Sequence, residues 1–173
     1  MKKVFLATSA FFSSVMFANS VSATTTTFSS TITVLDDLAI SQTTQLNLGK
    51  ILTPGSDVVV HVAQAGGNGA NTTATMIDTS SMSPVVLKIT GSSVNTISIS
   101  GANGGGVAGF TFNTMYCKYN NGSSTDILAA AKTAQSAPTS SGKNLQCGAN
   151  VTVAGSVTDG TYAPDYDVTI AYE

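Results

Sequence analysis

Between Tyr166 and Glu173 the chain alternates without interruption: Tyr166, Val168, Ile170 and Tyr172 fall on one side, Asp167, Thr169, Ala171 and Glu173 on the other. A period of two predicts a strand with one buried face. The same alternation sets Phe28, Ser30, Ile32 and Val34 against Ser29, Thr31 and Thr33, which predicts a first strand ended by Asp36-Asp37. Leu38-Ala39-Ile40 and Leu46-Asn47-Leu48-Gly49 read as a short strand pair with a polar link. Pro54-Gly55-Ser56-Asp57 is a turn signal, and Val58-Val59-Val60-His61-Val62 follows as a strand suited to burial on both faces. Residues 64–83 are rich in Gly, Asn, Thr and Ser and read as a loop or irregular edge.

Val85–Ile89 and Ile97–Ile99 are further strands, and Gly101–Gly106 reads as a flexible connection. Residues 107–119 alternate loosely, with Phe110, Phe112 and Tyr116 as core candidates. Ile127–Ala134 is the one helix-prone stretch, expected as a short surface helix or turn. Val151–Ala154 precedes the last strand. Seven to nine short strands separated by frequent turn residues predict an all-β protein, an antiparallel immunoglobulin-like β-sandwich.

Residues 1–23 change the picture of where this domain works. Lys2 and Lys3 precede an apolar run from Val4 to Phe17, and Val21-Ser22-Ala23 offers small or modest side chains at a cleavage position. This predicts a signal peptide cut after Ala23. The run is short and broken by Thr8, Ser9, Ser13 and Ser14, unlike a membrane span. Export through the periplasm to the cell surface or medium is expected, with residues 24–173 forming a single domain. A domain of that size buries about 70% of its unfolded surface. It carries nine acidic residues against five lysines and no arginine, which argues against nucleic acid as a partner. In an oxidising compartment Cys117 and Cys147 are expected to form one disulfide.

Candidate chemistry adds little. His61 is the only histidine, and no Gly-x-Ser-x-Gly elbow surrounds a serine, so nucleophilic catalysis lacks its parts. Asp36-Asp37 is either half of a calcium or carboxylate site or a solvated strand end; adjacent strand residues point oppositely, which favours the latter. Gly101–Gly106 lacks the Lys-Ser/Thr ending of a phosphate loop. Sequons at Asn71, Asn121 and Asn150 are what a Ser/Thr-rich chain produces by chance. Tyr116 and Tyr119 flank Cys117, and either stack on a sugar or pack over the disulfide. No enzyme activity, cofactor or metal is expected.

Gly160-Thr161-Tyr162, followed three residues later by Tyr166-x-Val168-x-Ile170-x-Tyr172-Glu173, resembles the C-terminal signature of chaperone–usher pilus subunits. The resemblance implies an incomplete sandwich that lacks its last strand. A periplasmic chaperone lends one, an outer-membrane usher exports the subunit, and the N-terminal extension of the next subunit completes the fold in the fibre. On this chain Tyr166, Val168, Ile170 and Tyr172 would form the chaperone-docked edge strand. Residues 24–34, through Phe28, Ser30, Ile32 and Val34, would be the donor strand for a neighbour. Such β-augmentation takes affinity from backbone hydrogen bonds and register from alternate side chains. The chain is also similar to a broader group of secreted bacterial β-sandwich domains of unknown function. These open on a stretch like Leu38-Ala39-Ile40 and Leu46-Asn47-Leu48-Gly49 and close on Gly-x-Tyr and a last strand.

The expected function is therefore a structural subunit of a fimbria-like surface fibre that mediates attachment. Its partners would be copies of itself or related subunits, the chaperone and usher, and a host receptor. The other expectation is a self-contained secreted module that binds carbohydrate or a host protein. It would keep Phe28–Val34 as its own strand and present Tyr116, Tyr119 or residues 64–83 to the ligand.

Overall fold

A computed structural model describes residues 31–32, 34–104 and 106–173. The chain divides into two units, Met1–Thr33 and Val34–Glu173, and the architecture below is that of the second. Its strands are β1 (Ala39–Thr44), β2 (Lys50–Ile51), β3 (Val58–Val62), β4 (Met76–Asp78), β5 (Val85–Thr90), β6 (Ile97–Asn103), β7 (Phe110–Tyr119), β8 (Ser124–Asp126), β9 (Lys132–Gln135), β10 (Lys143–Val153) and β11 (Tyr166–Tyr172). All eleven pair antiparallel, and no helix occurs among the described residues.

The large sheet has the order β1-β5-β10-β7-β8, with β3 also on β10. β10 organises it. Along one edge Lys143–Cys147 pair with β5 and Ala149–Val153 pair with β3; β7 runs along the other edge, with a register shift between Asn150 and Val151. Gly148 stands where the first edge changes partner. A side chain there would collide with the Val62 carbonyl and come within 2.7 Å of the Gln64 nitrogen, so the chain leaving β3 crosses β10 only because this residue is glycine.

Alternation decides which faces are buried. Val85, Leu87 and Ile89 of β5 are buried while Val86, Lys88 and Thr90 between them are half-exposed. They meet Ile97 and Ile99 of the smaller sheet, β11-β6-β9, in one core with Phe112, Met115 and Leu145. The β2-β4 pair covers a second cluster, in which Ile51 and Met76 pack against Val60, Val62, Met82 and Val153. The result is a β-sandwich of eleven strands rather than seven to nine.

Several expectations change in detail. Leu46–Gly49 is a connection carrying a single bridge, Asn47 to Ser83, not a strand. Gly101 to Asn103 extend β6 instead of forming a connector, and β10 begins eight residues before Val151. The residues 64–83 expected as a loop or irregular edge contain the short β4, paired with β2. The helix-prone Ile127–Ala134 becomes a turn followed by β9. There Asp126 Oδ1 accepts from the N–H groups of Met115 (2.8 Å) and Leu128 (3.2 Å), and Ile127 is buried. Lys132 is also buried, donating through Nζ to the Ser123 carbonyl at 2.8 Å and to Thr125 Oγ1 at 3.1 Å. These tertiary bonds outweigh a helix propensity worth only tenths of a kcal/mol per residue. Of the expected first strand, Phe28 and Ser30 lie outside the described residues, and Ile32 and Val34 belong to no strand.

Cys117 and Cys147 sit directly opposite each other on β7 and β10, are fully buried, and form the expected disulfide across a sequence separation of 30. Closing a loop of that length removes about 3–4 kcal/mol of unfolded-state entropy. A Cys117→Ala/Cys147→Ala chain should lose stability by about that amount in denaturant titration. Equal midpoints for the two chains would show that the bridge is energetically idle.

Candidate functional site

A strand that pairs on one side leaves alternate N–H and C=O groups of its other edge unpaired. β11 pairs with β6 alone and β1 pairs with β5 alone, and residues of both strands line one cleft. The cleft encloses about 1110 Å³. Ile40 and Gln42 of β1 form one wall, continued by Leu46 and Leu48; Tyr162, Tyr166 and Val168 form the other. Val60, Leu87, Phe112 and Val153 form its floor, so it reaches the core itself.

β11 is less completely buried than β5. Its inward residues Tyr166, Val168, Ile170 and Tyr172 are each only half-buried, whereas the inward residues of β5 are buried. Aromatic packing holds the open end in shape. The Tyr166 ring stands edge-on to Phe112 at 5.5 Å, and Tyr162 lies against Phe110 at 5.1 Å with its hydroxyl donating to the Thr158 carbonyl at 2.9 Å.

The other end of β11 is tied shut. The Tyr172 hydroxyl donates to the Asp36 carbonyl at 2.6 Å and accepts from the Ser92 N–H at 2.6 Å. Gly91 makes room for this junction: a Cβ there would meet the Tyr172 hydroxyl at 2.6 Å, Leu38 Cδ2 at 2.9 Å and Pro138 Cγ at 3.1 Å. Next to it the Glu173 carboxylate accepts from the Ala134 N–H at 2.7 Å, and the Glu173 N–H donates to the Thr96 carbonyl at 3.0 Å. Neither Ile170 nor Tyr172 lines the cleft.

The other candidates fall elsewhere. Ile32 and Val34 are 86% and 82% exposed, and Phe28 and Ser30 lie outside the described residues. Tyr116 is exposed on the outer face of the large sheet, but Tyr119 is buried and cannot present a stacking surface. His61 shares an outer row with Asn150 and Thr114 on neighbouring strands, packed under Gly69. Asp36 contributes its carbonyl rather than its carboxylate. Among the described residues no three His, Cys, Asp or Glu side chains are placed to hold a metal ion. The parts that sequence reasoning missed are Leu46, Leu48, Phe110 and the Val157–Asp165 segment as cleft lining; the one available signal was the Gly160-Thr161-Tyr162 motif.

An antiparallel sandwich with an unpaired edge strand beside a core-deep cleft of mixed polar and apolar lining is the class that this geometry defines. The chain belongs to the family described as Domain of unknown function (DUF4402), which matches residues 38–172. That span opens at Leu38 and closes at Tyr172, two residues that meet at Gly91. No curated protein and no solved structure matches the chain significantly.

Burial raises the Tyr166 phenol above the ordinary tyrosine value, and Tyr119 is raised by the same cause. Unfolded tyrosines ionise near pH 10, so above that pH the unfolded chain has released protons that the folded chain still holds. Their stabilising contribution is intact below about pH 10 and is lost as pH rises toward the folded values. Denaturant midpoints should therefore fall between about pH 9 and about pH 11, less steeply in Tyr166→Phe. An unchanged slope in that variant would contradict the assignment.

Proposed function

We propose that this protein is a structural subunit of a fimbria-like surface fibre, assembled by β-strand donation, with attachment as its output. The observation that carries the reading is the free edge of β11, where half-buried Tyr166 and Val168 line a cleft that reaches the core. An extended segment laid there would gain backbone hydrogen bonds from β11 and set alternate side chains toward the apolar floor formed by Val60, Leu87, Phe112 and Val153. The proposed occupant is residues 24–34 of another copy, whose Phe28, Ser30, Ile32 and Val34 repeat with the period of a strand.

Until a neighbour arrives, the same edge is an aggregation hazard. A periplasmic chaperone and an outer-membrane usher are accordingly the proposed assembly partners, and the cell surface the proposed location. A self-contained binding module is the second reading. It is favoured by a polar recess of about 320 Å³ on the outer face of the large sheet, lined by Lys118, Asn120, Asn144 and Gln146.

Surface extracts run unboiled and boiled test the first reading. The full chain should give a ladder of multimers that collapses to one band on boiling, and a chain lacking residues 24–34 should give monomer alone. A full ladder from the truncated chain would overturn the donor assignment, and monomer from both chains would move the reading to the binding module.

A further inference from the structure

We infer that the recess on the outer face of the large sheet takes an acidic sugar, its carboxylate met by Lys118 and its hydroxyls by the amides of Asn120, Asn144 and Gln146; this deepens the binding-module reading, on which it rests. Alternation puts the recess on the far side of the sheet from the cleft. Val86, Lys118, Asn144 and Gln146 line it, while their strand neighbours Leu87, Cys117, Leu145 and Cys147 are buried. Register brings its parts together. Val86, Gln146 and Lys118 form one row across β5, β10 and β7, and Lys88 and Asn144 begin the next. Such rows stand about 7 Å apart on one face of a sheet. The turn after β7 completes the second row. The Asn120 N–H donates to the Asn144 carbonyl at 2.8 Å, and the Gly122 N–H to the Tyr119 carbonyl at 2.9 Å. Asn120 and Asn121 are both left-handed there (φ 48° and 61°), a backbone that asparagine tolerates, and both line the recess.

Charge selects an anion. Lys118 and Lys143 line the recess, and Lys88 lies over Gly142, a lining residue whose Cβ would meet Lys88 Cε at 2.5 Å. Among the described residues no aspartate or glutamate lines it, whereas Asp78, Asp159 and Asp165 line the cleft. Lys143 Nζ already donates to Ser136 Oγ at 3.1 Å and to the Ala137 carbonyl, which leaves exposed Lys118 to meet the ligand's charge. The neutral groups select a sugar over a bare anion, because an amide both donates and accepts, as a hydroxyl does. Gln146 Nε2 donates to the Gln64 carbonyl at 2.7 Å, which fixes this amide and leaves Oε1 as an acceptor that a hydroxyl can satisfy and a bare anion cannot. At about 320 Å³ the recess stands at the small end of the range for small-molecule sites, about 300–1,000 Å³, which suits a short saccharide rather than a protein segment.

The test titrates the full chain with glucuronate, glucose and acetate, following backbone amide shifts by NMR. Glucuronate should move the amides of Lys118, Asn120 and Asn144, and glucose and acetate should each bind about tenfold more weakly. Lys118→Ala and Asn144→Ala, both at exposed positions, should each weaken glucuronate binding about fivefold or more. Undiminished binding in both variants would place the ligand elsewhere and overturn the site. Acetate as tight as glucuronate would overturn the inference in favour of a bare anion site. Glucose as tight as glucuronate would remove the acidic class and leave the binding-module reading standing. No shift at these amides with any of the three probes would also overturn the inference. The unboiled gel then judges the module reading by itself: a ladder removes it, and monomer keeps it for a protein ligand.

Discussion

Every strand in a sheet offers hydrogen-bonding groups on two edges, and this fold leaves both of its outer walls, β1 and β11, with one edge unmatched. The rest of the structure is arranged around that shortage. The two sheets close against each other where β11 meets Leu38 and Gly91, and they part where Tyr166 stands beside Phe112. The sheets are joined at one end of the sandwich and part over the cleft at the other, where the floor residues Val60, Leu87, Phe112 and Val153 remain buried. An unpaired edge over an apolar floor is unfavourable in isolation and favourable once a strand is supplied. The functional proposal therefore follows from a deficit in the domain, with no reactive group involved.

What makes the deficit tolerable is the rigidity of the opposite half. β10 is paired along its length on both edges, and it is bridged to β7 by a buried disulfide at the register position where Cys117 and Cys147 face each other. The Asp126 carboxylate and the Lys132 ammonium add hydrogen bonds that fix the β8–β9 turn against this sheet. A scaffold braced in this way can hold a cleft open without collapsing into it.

The fold class was legible because strands buried on one face write a period of two into the chain, as Val85–Ile89 and Tyr166–Tyr172 do. The disulfide was legible from cysteine parity together with the export expected from residues 1–23. β1 was only partly legible: in Ala39-Ile40-Ser41-Gln42-Thr43-Thr44 the residues are all exposed, so no apolar alternation marks the strand. Ile127–Ala134 starts as the turn that was one of its two expected forms, and its burial and the strand that follows were not legible because bonds to Met115 and Ser123 lie outside any local window. The edge strand of the candidate site was readable from its own alternation and the Gly160-Thr161-Tyr162 motif. The cleft was not, since its lining comes from six separate stretches of chain. The role of the Asp36 carbonyl could not be read at all, because a backbone atom carries no sequence signal.

Residue-resolved amide hydrogen exchange along β11 tests the central claim most directly, comparing monomer with assembled protein. If a neighbour's strand fills the cleft, the amides between Tyr166 and Ile170 that are not bonded to β6 will exchange quickly in the monomer and slowly after assembly. Equal exchange in the two states, with that edge open in both, would contradict strand donation as the basis of this protein's function.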